Sequence, residues 1–235
     1  MNWRVPRMWE GGDVWIIGGG PSVPRQFDVP QDIIQKVING TLPPNAYSPY
    51  MHLIHNEHVI GVNMAYKLGD WIDIVIFGDS GFFLKERNNL AVFPGLRVSC
   101  NSGNQGEKWI KHLGRDSNRP KGLSENPGLV SWNGNTGAAA INLALHTGVA
   151  RIMLLGFDMN IDGSAMQHWH NLYGKGPVND DRRKKKLPFG RHMLGFPKIA
   201  EDAKKIGVEI INVSANSAID CFPKMTVKEL LLDNS

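Results

Sequence analysis

Apolar residues along this chain fall into short unbroken runs that stop at Gly, Asn or Asp. Val14-Gly18, Val59-Asn63, Ile72-Phe77, Ile152-Leu155 and Val208-Asn212 have this form, and Leu96-Ser99 and Leu129-Trp132 are weaker versions of it. Runs this short and this rich in Val and Ile read as strands, and their lack of polar alternation means that both faces are covered. Strands buried on both faces belong to parallel sheets.

Between the runs the period changes to that of a helix. Gln31-Ile38 places Ile33, Ile34, Val37 and Ile38 on one side. Thr136-Thr147 carries alanines and leucines at helical spacing, begins after Asn135 and stops before Gly148. Met193-Ile206 sets Leu194, Ile199, Ala203 and Ile206 along a stripe that Gly207 ends, and Val227-Leu232 is a short final helix. The repeated order strand, loop, helix predicts an α/β fold: a single Rossmann-like domain over residues 1–235, with a mostly parallel, doubly wound sheet. Gly40-Pro49 and Met159-Arg191 read as loops. The second is too long for a simple connection, and its length fits a lid or binding loop.

Composition narrows the class. Hydrophobic residues make up 42% and charged residues 20% of the 235, which is ordinary for a globular chain. No apolar run approaches the roughly 18 residues of a membrane span, and the N-terminus lacks the apolar stretch of a signal peptide. Two cysteines, Cys100 and Cys221, are too few for a disulfide framework or a cysteine-rich zinc site. A cytoplasmic protein is the expectation. The formal net charge is +4, yet Arg182 to Arg191 holds six basic residues and no acidic one, so the basicity is local. Such a cluster suits a phosphate group or the edge of a nucleic acid.

The first strand runs into Gly18-Gly19-Gly20-Pro21-Ser22. Glycines let a backbone approach phosphate closely, reach positive φ and point N–H groups inward, and Ser22 adds a hydroxyl. Neither the Walker ending nor the spaced third glycine of a dinucleotide loop is present. Asn63, Asp79 and Asp158 follow three other strands, and the carboxyl ends of parallel strands form the ligand crevice of an open α/β sheet. Asn135-Thr136-Gly137 opens an alanine-rich helix whose first N–H groups can face an anion. The lid-like loop contains His168 and His170 around Trp169, where imidazole can act as a base near neutral pH. Ser214, Asn216 and Ser217 follow the last strand with side chains suited to ribose, base or phosphate, or to a simple turn.

Taken in order, Gly-Gly-Gly-Pro-Ser, Val-Ile-Gly-Val-Asn, Phe-Gly-Asp, Asn-Thr-Gly-Ala-Ala-Ala, Leu-Leu-Gly-Phe-Asp-Met, His-Trp-His and Ile-Ile-Asn-Val-Ser-Ala-Asn-Ser-Ala-Ile resemble the MptE-like family. That family includes archaeal 6-hydroxymethylpterin diphosphokinases and many bacterial and phage proteins. The pattern is also similar to the bacterial family 42 sialyltransferases, and it covers roughly Val14 to Pro223. The second resemblance implies that Gly18, Gly20, Pro21, Ser22 and Asn63 contact a nucleotide, that Asn135-Thr136-Gly137 contacts the donor, and that His168 or His170 is the general base. Gly19 stands where those enzymes have asparagine, paired lid tyrosines are not evident, and the basic run Arg182-Lys186 occupies the lid. The first resemblance implies instead that Asp79 and Asp158 help hold Mg²⁺ on a triphosphate.

The leading expectation is a transferase that uses a nucleotide-sugar donor and requires no cofactor. The donor phosphate sits on the Gly18 loop, Asn63 and Asn135 orient it, and Arg182, Arg183 or Lys184 stabilises the departing phosphate. The alternatives are Mg²⁺-dependent diphosphate transfer to a pterin-like alcohol, and a non-catalytic module that binds a nucleotide or, through the basic run, nucleic acid.

Overall fold

A computed structural model describes residues 3–161, 166–174, 178, 184 and 187–232. Its main sheet contains β1 (Asp13–Ile17), β2 (Val59–Val62), β3 (Ile74–Phe77), β4 (Leu96–Ser99), β5 (Lys111–His112), β8 (Arg151–Leu155) and β9 (Glu209–Asn212). They lie in the order β5-β4-β3-β2-β1-β8-β9, and every pairing is parallel. A separate parallel pair joins β6 (Gly114–Arg115) to β7 (Leu129–Val130). The helices are α1 (Ser22–Arg25), α2 (Gln31–Ile38), α3 (Ser80–Val92), α4 (Thr136–His146), α5 (Phe189–Met193), α6 (Phe196–Ile206) and α7 (Val227–Leu232).

The apolar runs are explained by burial on both sides. Trp15, Ile17, Val75, Phe77, Met153, Leu155 and Ile211 pack on one face with Ile34 and Val37 of α2 and Phe82, Phe83 and Leu90 of α3. Val14, Ile16, Ile60, Ile74, Ile76, Ile152 and Leu154 pack on the other, against the alanines of α4 and against Phe196, Ile199 and Ala203 of α6. The chain leaves β1 for β2 on one side, while β8 pairs with β1 on the other. This reversal opens a crevice between the carboxyl ends of β1 and β8, where open parallel sheets bind ligands.

Several boundaries differ from the sequence expectation. Residues 129–132 form only the two-residue β7, outside the main sheet. The helix expected over Met193-Ile206 is broken at Leu194 and Gly195, between α5 and α6, and Leu194 and Ile206 are exposed rather than part of a buried stripe. Six of the ten residues of the expected loop Gly40-Pro49 belong to a run of 3-10 turns, Pro44–Ile54. Among the described residues, no helix is long and apolar enough to cross a membrane.

Candidate functional site

A cavity of about 430 Å³ occupies the crevice. Gly18, Gly19 and Gly20 after β1, Asn63 after β2, Asp79 after β3 and Asp158 after β8 all line it, together with Asn135, Thr136 and Gly137 at the start of α4. His168 completes the set brought from the 159–191 segment.

The three glycines do not take positive φ. Their role is close packing: an added Cβ would meet the Gly156 carbonyl at 2.7 Å from position 18, His168 Nδ1 at 2.9 Å from position 19 and Asp158 Oδ2 at 1.7 Å from position 20. The loop is thus already covered by β8's continuation and by the histidine segment. Ser22 Oγ donates to Asp158 Oδ2 at 3.0 Å and lies 2.9 Å from Ser214 Oγ. Asp158 is buried, and its Oδ2, which accepts from Ser22, is an acceptor held at the loop. Pro21 is buried beside it, outside the cavity lining.

Asn63 adopts φ 52°, a conformation asparagine tolerates better than most residues. Among the described residues its buried Oδ1 has no hydrogen-bond partner. Asp79 precedes α3 but does not cap it through its side chain, and it is exposed at the cavity edge. Asn135 is spent on structure: Oδ1 accepts from Ala138 N at 2.8 Å, and Nδ2 donates to the His192 carbonyl at 2.9 Å. What α4 offers the cavity is its first turn at Thr136 and Gly137, where N–H groups lack intrahelical acceptors.

The histidine segment is anchored to the loop. Trp169 is buried; its Nε1 donates to the Gly18 carbonyl at 2.9 Å, and its backbone N–H donates to the Gly19 carbonyl at 3.1 Å. His168 Nδ1 lies 3.3 Å from the same Gly19 carbonyl. A carbonyl only accepts, so this contact puts the proton on Nδ1 and the lone pair on Nε2. His170 faces elsewhere: it lines a second cavity and does not reach the first.

Other sequence candidates support the site without lining it. Ser214 Oγ accepts from Gly156 N at 3.3 Å, and Ser217 Oγ donates to the Phe157 carbonyl at 2.7 Å. Asn216 is exposed, and its carbonyl accepts from Asn160 Nδ2. Arg182 and Arg183 lie outside the described residues, and Lys184 is exposed away from the cavity lining.

The structure adds residues the sequence reading missed. Arg191 and His192 line the cavity from α5, and Arg191 Nη2 lies 3.4 Å from His192 Nε2. Burial, then the Arg191 charge, holds His192 below the ordinary histidine range. Trp132 lines the rim, with the Arg115 guanidinium 3.6 Å from its ring centroid. Arg115 is fixed in turn by the Cys100 and Gly78 carbonyls. No signal in the sequence separates Arg191 from the basic run before it, because only α5's position turns it toward the crevice. Among the described residues, no group of three or more His, Cys, Asp or Glu side chains could hold a metal.

The chain matches no family description and no curated protein sequence. In three dimensions it resembles the MAf glycosyltransferase from Magnetospirillum magneticum, with a TM-score of 0.56 and 13% identity over 97% of this chain. The chain spans 36% of that protein's length. The sialyltransferase CstII from Campylobacter jejuni, in complex with cytidine-5'-monophosphate, gives a TM-score of 0.46 at 13% identity, covering 91% of this chain and 84% of that one. The same enzyme with CMP-3FNeuAc gives 0.46 at 14%, covering 91% of this chain and 86% of that one. The first likeness establishes the shared α/β fold, and the other two are too loose to bear on function.

Proposed function

We propose that this chain is a nucleotide-dependent glycosyltransferase whose nucleotide-sugar donor binds in the crevice between β1 and β8. The observation that carries the reading is the meeting of His168, the first turn of α4 and the Gly18–Gly20 loop in one cavity. The donor phosphate lies toward Thr136 and Gly137, where N–H groups and the helix dipole favour an anion. Arg191 faces the same space and stabilises the departing phosphate, the task the sequence reading gave to Arg182, Arg183 or Lys184. Asp158, an acceptor, takes ribose or sugar hydroxyls rather than phosphate. His168 Nε2 removes the acceptor's hydroxyl proton as the new glycosidic bond forms and the bond to the leaving phosphate breaks.

A second reading is supported by one observation: Asp79 and Asp158 line the same cavity. Mg²⁺ typically takes one or two carboxylates plus substrate phosphates, so Asp79 and Asp158 would hold the ion in diphosphate transfer to a pterin-like alcohol. Mg²⁺ would supply neutralisation of the transferred phosphates; the chain itself would hold and orient them through Thr136, Gly137 and Arg191.

Thermal-shift measurements with CMP-, UDP- and GDP-sugars, and with ATP with and without Mg²⁺, separate the readings. A bound donor at about 100 times its Kd stabilises by about 2.7 kcal/mol. Stabilisation by one nucleotide sugar, followed by sugar transfer in EDTA, is the expected result. Stabilisation by ATP alone, strictly with Mg²⁺, would overturn the glycosyltransferase reading.

A further inference from the structure

His168 and His170 stack at 5.4 Å between ring centroids, with planes 5° apart, yet they serve different cavities. The second cavity, of about 700 Å³, lies among the end of α2, the turns after β2 and the end of α3. None of the chemistry assigned above uses it.

His170 is 3% exposed and lines this cavity. The Leu172 backbone N–H donates to its Nδ1 at 3.2 Å. An N–H only donates, so Nδ1 is the unprotonated nitrogen and the neutral ring carries its proton on Nε2. Among the described residues that Nε2–H has no hydrogen-bond partner. Because His170 lines the cavity, this N–H is a donor for an acceptor on a ligand bound there.

A second donor lines the same cavity. Lys67 Nζ is 2.9 Å from Glu86 Oε2, an oxygen that also accepts from Tyr66 Oη at 2.6 Å and Asn89 Nδ2 at 2.9 Å. An ammonium has three N–H bonds, and this pairing uses one. Lys85 Nζ donates to the Leu172 carbonyl nearby. Burial first, then the charges of His168, Lys85 and Lys67, holds His170 well below the ordinary histidine range. The ring is therefore a neutral donor. The acid in the lining is Asp70, exposed at the rim where solvent screens it. Leu42, Pro43, Val92, Phe93, Pro94 and Leu172 supply apolar walls.

We propose that this second cavity binds a small organic carboxylate with an apolar body. The carboxylate accepts from His170 Nε2 and Lys67 Nζ, and the body packs against the apolar walls. This site is independent of the transferase reading and stands whichever nucleotide the first cavity takes.

Phenylbutyrate serves as the probe, with phenylbutyramide as its uncharged counterpart, in isothermal titration of the full chain. Saturable one-site binding of the acid is expected, with the amide weaker by about tenfold. In protein carrying isotope-labelled histidine, the His170 Nε2–H resonance of the unmutated chain should move on binding. His170→Phe and Lys67→Met should each weaken the acid by about tenfold, with circular dichroism and Tm verifying the fold. Equal affinity for acid and amide would overturn the carboxylate assignment. Absence of saturable binding, an unmoved His170 resonance, or unchanged affinity in a folded His170→Phe chain would overturn the site.

Discussion

The Asp158 carboxylate lies directly on the Cα of Gly20, so that a Cβ at position 20 would sit 1.7 Å from Oδ2. The contact joins the loop after β1 to the segment after β8, the two strand ends that frame the crevice. Ser22 Oγ donates to the same oxygen, which fixes the side chain in place. A loop that reads from sequence as a phosphate cradle is thus in part a seat for an acid.

Gly20→Ala should therefore destabilise the fold as well as the site. Overpacking of this kind costs about 1–3 kcal/mol. Asp158→Gly in the same chain should recover part of that loss, because it removes the carboxylate atoms while the Gly156 carbonyl, 2.7 Å from the same Cβ, remains. A double-mutant cycle by urea denaturation measures the coupling. Additive effects would show that the two residues do not constrain one another.

Asn63 offers a separation of binding from stability. Its φ of 52° suits glycine, and its buried Oδ1 has no partner among the described residues. Asn63→Gly should keep or raise Tm while weakening the nucleotide found in the screen by about tenfold. Isothermal titration beside a thermal melt reads both quantities; unchanged affinity would remove Asn63 from the donor site.

The base role assigned to His168 predicts a kinetic signature. His168→Gln should lower kcat by roughly 10²–10⁴ while changing donor affinity little. The acidic limb of the kcat/KM profile, where the imidazole is protonated, should vanish in the variant. A retained acidic limb would place the base elsewhere, with His192 next in line as the other histidine lining the cavity.

Buried histidines give a pH dependence of stability with a definite sign. His146 is held below the ordinary range by burial, outweighing its bond to the Leu129 carbonyl, and His170 lies well below it. In each case the folded pKa is lower than the unfolded value near 6.5, so the unfolded chain binds more protons as pH falls. Their contribution is present above about pH 6.5 and is lost as pH drops from there toward the folded pKa, by up to about 1.4 kcal/mol per pH unit for each group. Urea melts from pH 7.5 to 5 should show the decline, and His170→Phe should flatten it. A stability independent of pH across that window would contradict the burial of both rings.

The sheet was legible in the sequence because burial on both faces leaves an unbroken apolar run, a signal local enough to read one strand at a time. Gln31–Ile38 and Thr136–His146 were legible for the same reason, through spacing and through Asn135 as a cap. Helix α3 was not: it buries Phe82, Phe83, Glu86 and Leu90 but exposes Leu84 and Val92, so its apolar residues do not form one stripe. Strand β5 is two residues long and polar, and only its pairing with Val98 and Ser99 makes it a strand.

The sequence by itself determined the fold class and the recurrence of Gly18, Asn63, Asp79 and Asp158 at strand ends, because parallel strands deliver their carboxyl ends to one edge. Tertiary structure alone decided which of those side chains is still available. Asn135, Ser214 and Ser217 are consumed by backbone groups from distant segments, and Asp158 is seated on Gly20. His168 and His170, two residues apart, are divided between two cavities, while Arg191 and His192 enter the crevice from a helix with no motif of its own. Spacing records where a residue leaves the backbone; which partner satisfies its polar atoms depends on contacts made across more than fifty residues of chain.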